Sequence, residues 1–198
     1  MARQRSGAGT ENCAGLIASR PVLYLQTMTW RPELTVAAIV RRDDRFLIVE
    51  ERIAERAVFN QPAGHVEDGE SILDAVIRET LEETAWSFEP RHLVGTYLWR
   101  SPRNGRTTLR FAIAGDALRH DPQRRLDRGI LGTHWRSREE LAAEPARLRS
   151  PLVLRCIDDF LSGQCYDLAA LTRIADDAGM EPCDALALTL PARQPARR

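Results

Sequence analysis

The chain predicts a mixed β-sheet with helices packed on its faces, an arrangement between the α+β and α/β classes. Three observations predict it. Strand-like runs lie on both sides of one helical segment: Leu34–Val40 and Phe46–Val49 before it, Leu93–Trp99 and Thr107–Ala114 after it. The segment between, Ser71 to about Thr84, contains nothing that breaks a helix. And 198 residues, 43% hydrophobic and 28% charged, are enough for one ordinary core, so strands and helices share a single domain.

The elements follow in order. Residues 1–27 are polar and glycine-containing and are expected to form a dispensable N-terminal extension, with Met28 a second candidate start. Arg20 and Pro21 interrupt the apolar stretch there, which argues against a signal peptide. The domain is expected over 28–165. Arg41–Arg45, with Asp43-Asp44, reads as the turn of a first hairpin, and Ala57–Phe59 as a third strand running into the loop Asn60–His65. Asp68-Gly69 marks another turn. Ser71 with Asp74 reads as a helix cap with an acidic third residue. On that helix Leu73, Ile77, Thr80, Leu81 and Thr84 are assigned to the core side, and Glu79, Glu82 and Glu83 to the opposite side. Gly132–Trp135 is a further strand, Ser137–Glu140 a capping box, and Ser150-Pro151 a helix start that Gly163 closes. Residues 166–198 are expected to hold a last helix, Asp167–Gly179, and a disordered proline- and arginine-rich tail.

Composition excludes several function classes. The net charge is zero, so there is no global electrostatic case for nucleic acid or an anionic membrane. All 28 basic residues are arginine, which reads as codon bias unless particular positions say otherwise. Cys13, Cys156, Cys165 and Cys183 match neither zinc-ligand nor CxxC spacing, and a reducing, cytoplasmic setting is expected. No apolar run reaches the roughly 20 residues of a membrane helix.

The chemistry is concentrated in Arg78-Glu79-Thr80-Leu81-Glu82-Glu83. Residues three and four apart are neighbours on a helix, so three carboxylates crowd one patch. Alone, Glu-x-x-Glu-Glu is ordinarily a solvated acidic face. Beside an apolar face it suits a hard divalent cation, magnesium or manganese. What precedes it decides between the two. Gly64 is followed six residues later by Glu70, and eight further on by Arg78-Glu79. The run from Gly64 to Trp86 thus resembles the signature of the Nudix family at Gly64, Glu70, Arg78, Glu79, Glu82 and Glu83 without a gap. Thr80 replaces an aliphatic residue, Trp86 fills the last apolar place, and Ala85 replaces the glycine that normally ends the helix in a left-handed conformation, so a different helix end is expected here. Val36–Val40, Phe46–Glu51, Asn60–His65, Leu109–Phe111, Arg149–Leu152 and Ser162-Gly163 resemble the NudJ subgroup of Nudix phosphatases, over about Met28–Leu168.

The resemblance implies an α/β/α sandwich with a mixed sheet. It also implies a Mg²⁺-dependent (or Mn²⁺-dependent) hydrolase of phosphoanhydride bonds in nucleoside di- and triphosphates and in hydroxymethylpyrimidine pyrophosphate. Glu79 and Glu83 would be direct metal ligands, Glu82 a ligand or a partner through water, and the Gly64 carbonyl a further ligand. Glu70 and Arg78 would be a supporting pair. The proton acceptor stays open, with Asp127 a candidate outside the signature and a turn aspartate its plainer reading. His65, Arg110, Arg149 and Asn60 are the candidate substrate contacts: Arg110 because an inward arginine is costly unless it meets an anion, and Arg149 because it precedes a helix N-terminus. Phe59 is a candidate pocket wall. Trp99 is read first as a core side chain and second as a platform for a base. The partner is expected to be a small nucleotide or pyrophosphate, with no protein partner identifiable. A nucleotide-sensing module that does not cut is the alternative, against which the intact carboxylate set argues.

Overall fold

The computed structural model describes residues 30–174. Its elements are β1 (Glu33–Arg42), β2 (Arg45–Ile53), β3 (Arg56–Asn60), β4 (Ala63–His65), α1 (Ile72–Thr84), β5 (Trp86–Arg100), β6 (Thr107–His120), β7 (Ile130–Ser137), α2 (Arg138–Ala143) and α3 (Leu152–Leu161). β1 pairs parallel with β6 and antiparallel with β4, and β6 pairs antiparallel with β5. β2 lies between β3 and β7. β1 and β2 join only beside their turn, at Arg41↔Phe46 and Arg42↔Arg45. The sheet is therefore mixed, as the sequence predicts.

Strand side chains alternate between faces, and the alternation divides the core into two layers. Val36, Ala38, Val40 and Ile113 pack with Ala75 and Val76 of α1. Ile39, Ala112, Ala114 and Val94 pack with Leu141 of α2 and Val153, Cys156 and Ile157 of α3. Helices thus cover both faces, giving an α/β/α sandwich.

Four local outcomes differ from the sequence reading. Asn60–His65 is not all loop: Ala63–His65 pairs with Thr35–Ala37 as β4. The buried stripe of α1 is Ala75, Val76, Thr80 and Thr84, while Ile77 is 37% exposed and Leu73 and Leu81 are half-buried. At 100° per residue, Val76, Glu79, Thr80 and Glu83 share one side, so Glu79 and Glu83 border the buried face instead of opposing it. Ala85 does end α1 left-handed (φ 59°), its amide donating to the Leu81 carbonyl, so the expected different helix end is not found. Finally, Asp167 caps only a 3₁₀ turn, Leu168–Ala170, and no helix follows through Ile174; residues 175–179 of the expected last helix lie outside the described residues. The packed body continues past Cys165, since Tyr166 pairs with Leu93 and Leu168 and Leu171 join the α1-side core. The N-terminal extension and the Pro191 tail also lie outside the described residues.

Other local readings hold. The Ser71 side chain accepts from the Asp74 amide, and Ser137 and Glu140 form the capping box. The threonine departure in α1 is accommodated because the buried Thr80 hydroxyl donates to the Val76 carbonyl and that of Thr84 to Thr80, satisfying both polar groups within the helix. Among the described residues no helix is long and apolar enough to cross a membrane.

Candidate active site

A cleft of about 860 Å³ runs between α1, the ends of β1, β2 and β6, and the start of α3. Its α1 wall is acidic. Arg78 organises that wall. Its Nε and Nη2 donate to the two oxygens of Glu70 at 2.8 and 2.9 Å, and its Nη1 to Glu79 at 2.8 Å and Glu82 at 3.1 Å. Nη2 also donates to the His65 carbonyl at 3.0 Å, fastening β4 to α1. A planar fork with several donors suits this bidentate and bridging task, which a lysine could not perform. The Arg78 partner holds the Glu70 carboxyl below its ordinary value. Arg78 and Glu70 thus form a bidentate ion pair behind the carboxylates of α1.

Gly64 lies directly against Glu79. A Cβ on Gly64 would stand 2.1 Å from the Glu79 carboxylate carbon. Only glycine leaves room for the carboxylate against the β4 backbone. Next to it, Glu83 accepts from the Ala63 amide at 2.8 Å. Burial, and then Glu79, Glu51 and Asp127 nearby, push the Glu83 carboxyl up to about 9 against one favourable hydrogen bond. Burial likewise raises Glu79 and Glu51. Asp127 lines the same cleft, its amide donating to the Glu82 carbonyl at 3.0 Å. Carboxylates packed so closely in a half-dry wall repel one another and are a donor set for a hard divalent cation. Among the described residues, no three such groups already converge as a coordination sphere: Glu79 and Glu82 turn to Arg78, and Glu83 to Ala63.

The opposite wall is basic. Arg110 is 7% exposed, and its Nε and Nη1 have no hydrogen-bond partner among the described residues. β1 and β6 run parallel with Thr35 opposite Arg110, so the guanidinium stands on the α3 face of the sheet and lines the cleft. Desolvation pulls its pKa down, with Glu51 and Glu83 partly opposing. An arginine this dry and unpaired is expensive to keep unless an anion comes to it. Arg149 stands beside it at the start of α3, its Nε 3.4 Å from Glu51. Asn60 is buried, its Oδ1 without a partner among the described residues, and His65 is exposed at the rim. Trp99 packs on the α3-side core, as its first reading has it, and one side of it also lines the cleft. Phe59 is fully buried; the arginines Arg136 and Arg147 lie over its ring, and it does not line the cleft.

The structure thus brings Gly64, His65, Arg78, Glu79, Glu82, Glu83, Asn60, Arg110, Arg149 and Asp127 to one cleft, with Glu70 behind Arg78. It adds Glu51, which the sequence reading left out of the site. Glu51 sits where β2 shifts register against β7, and the signal for it in the sequence was its place at the end of the run Phe46–Glu51, an acidic residue following an apolar stretch.

Comparison with known proteins identifies the family and the fold. The NUDIX domain family matches residues 31–155. The chain is 39% identical over 139 residues to "Phosphatase NudJ" of Escherichia coli (strain K12), spanning 70% of this chain and 90% of that one. Among solved structures, a NUDIX hydrolase from Nitrosomonas europaea superposes with a TM-score of 0.71 at 46% identity, covering 73% of this chain and 98% of the other. A MutT NUDIX hydrolase from Burkholderia pseudomallei, at 22% identity and TM-score 0.52 over 66% of this chain and 98% of its own, shares the fold. The chain therefore belongs to the Nudix family and is a hydrolase acting on pyrophosphate bonds.

Proposed function

We propose that the chain is a magnesium-dependent phosphohydrolase, for which manganese can substitute. Its substrates are nucleoside di- and triphosphates and related small pyrophosphates such as hydroxymethylpyrimidine pyrophosphate. One observation carries the reading: a wall of crowded carboxylates faces a buried, unpartnered Arg110 across a single cleft. The first wall suits cations and the second suits anions, and a metal–pyrophosphate complex offers both. The name of the Escherichia coli relative, a phosphatase, fits this reading.

In the proposed mechanism Glu79 and Glu83 would hold the cation, with Glu82 joining directly or through water and the Gly64 carbonyl available beside them. The ion, when bound, neutralises phosphate charge and acidifies a bound water. Arg78 and Glu70 are positioning residues: they fix the Glu79 and Glu82 rotamers and the β4 backbone. Arg110 and Arg149 draw the phosphates into the cleft and orient them, in keeping with phosphoryl transfer as chiefly placement and electrostatics. Asn60 and His65 contact the phosphates or the nucleoside. Of the carboxylates outside the helix that line the cleft, Glu51 and Asp127 stand near enough to Glu83 to act on its charge, and each is a candidate to take the proton from water.

The test is phosphate release by purified protein with magnesium against a nucleotide panel. The reading expects turnover of several di- and triphosphates, with rates differing less between bases than between phosphate chain lengths. Nucleotide binding without turnover would instead identify a sensing module.

A further inference from the structure

The cleft does not end at its arginines. A second cavity of about 400 Å³ opens beside it, within the range of about 300–1,000 Å³ usual for small-molecule sites. Trp99, Arg103, Arg149 and Ser150 line both spaces, so the second is continuous with the first. Beyond those four, its walls are proline and leucine: Pro102 of the β5–β6 turn, Pro145 and Leu148 ahead of α3, and Pro151 and Leu154 at its start. Trp99 and Leu154 are half-buried and rest on the core beneath, which fixes both walls in advance.

This lining selects by chemistry. It contains no carboxylate and no side-chain amide. A sugar, whose hydroxyls need such partners, gains little there. An indole, three prolines and two leucines instead offer flat apolar surface, on which a planar ring gains dispersion and stacking energy. The charged groups present are the guanidiniums of Arg103 and Arg149, which stand where the two spaces meet and repel a cationic ring. Proline and leucine carry no side-chain hydrogen-bonding group, so they cannot read one base edge against another.

We propose that this second cavity seats the uncharged planar heteroaromatic ring of the substrate, stacked on Trp99, while its phosphates lie in the main cleft between Arg149, Arg110 and the α1 carboxylates. The inference rests on the pyrophosphohydrolase reading and adds the place and chemistry of the organic group. It makes the enzyme select a ring-bearing pyrophosphate by shape and stacking, with broad tolerance of which ring.

The experiment compares kcat/KM for ADP with kcat/KM for inorganic tripolyphosphate, which has no ring, in the wild type, Trp99→Leu and Leu154→Glu. Stacking of one base is worth at least about 1 kcal/mol on an aromatic platform, and 1.4 kcal/mol is tenfold. The ADP-to-tripolyphosphate ratio should therefore fall about fivefold or more in both variants, chiefly through KM for ADP. Leu154→Glu keeps the indole and places an acid on the far wall, so it stands if Trp99→Leu folds poorly. Binding is read independently as quenching of tryptophan fluorescence by AMP, which should be lost in Trp99→Leu. An unchanged ratio in the folded variants, or AMP quenching that survives Trp99→Leu, overturns the ring seat. Wild-type protein that hydrolyses neither compound would sink the pyrophosphohydrolase reading instead, and the AMP quench would still test the seat.

Discussion

Replacing Gly64 with alanine should disable the enzyme while leaving it folded. The added Cβ would sit 2.1 Å from the Glu79 Cδ and Oε1 and 2.3 Å from its Oε2. Carbon contacts relax only near about 3.5 Å, so the carboxylate must retreat by roughly 1.4 Å, the difference between about 3.5 and 2.1. It is the far end of a flexible side chain, so it can move. Moving takes it from the Arg78 Nη1 contact at 2.8 Å and from its place beside Glu83. Misplacement of about 1 Å in a catalytic constellation costs on the order of 100-fold. The stability terms nearly cancel. One partly exposed ion pair is worth up to about 1 kcal/mol, and alanine gains roughly 0.5–1 kcal/mol over glycine in a strand. Gly64→Ala should therefore lose about 100-fold in kcat at saturating magnesium with Tm moved by no more than about 3 °C. Steady-state phosphate release and a thermal melt measure both. A kcat within twofold of wild type would refute the claim that the Gly64–Glu79 contact sets the site.

Other consequences follow from single groups. Arg110→Met removes an unpartnered buried charge while keeping much of its volume. Tm should rise, by about 1 kcal/mol or more of stability, while kcat/KM falls at least about tenfold; a stability loss with normal activity would place Arg110 in the fold and not in the site. Ala85→Gly relieves about 1 kcal/mol of left-handed strain but removes a buried methyl worth about 0.8 kcal/mol, so a melt should shift by less than about 3 °C, and a loss above about 2 kcal/mol would contradict the left-handed cap. Without metal, Glu83 holds its proton up to about 9, whereas the unfolded chain releases it near 4.5. Across that window the native state binds more protons, so Tm of the metal-free protein should fall as pH rises from 5 to 9. A cation competes with those protons, so the Tm gain from magnesium should grow with pH; a larger gain at pH 5 would be inconsistent with the carboxylate site.

The signature residues were legible because their chemistry is local. Gly64 to Glu83 spans one turn and one helix, where spacing alone fixes neighbours. The Ser71 and Ser137 caps were legible for the same reason. The offset of the α1 stripe was not. Leu73, Ile77 and Leu81 are larger apolar side chains than Ala75 and Val76, yet Ala75 and Val76 are the ones buried in the α1-side core, and Glu79 and Glu83 fall at the border of that contact. β4 was hidden because three residues are too few for a periodic signal, and its partner Thr35–Ala37 lies far back in the chain. The left-handed Ala85 shows tertiary context overriding propensity: the Asp121 amide donates to its carbonyl at 2.9 Å and holds the helix end in place. Glu51 was missed because its role depends on β2 meeting Arg149, nearly a hundred positions away in the sequence. Arg110 was suspected from cost alone, and the fold supplies the reason: β6 carries it onto the α3 face beside Thr35 and turns it into the cleft.

The central claim is that a divalent cation held by Glu79 and Glu83 drives the hydrolysis. Turnover of ADP as a function of magnesium concentration, in the wild type and in Glu83→Gln, tests it most directly. Glutamine keeps the shape of the side chain and its acceptor toward the Ala63 amide but loses the charge. Wild-type activity should vanish on chelation and return with magnesium. Glu83→Gln should fold normally and lose at least about 100-fold in kcat at every magnesium concentration reached, in line with the several kcal/mol that a catalytic ion supplies. Near-normal turnover by Glu83→Gln at saturating magnesium would contradict the account.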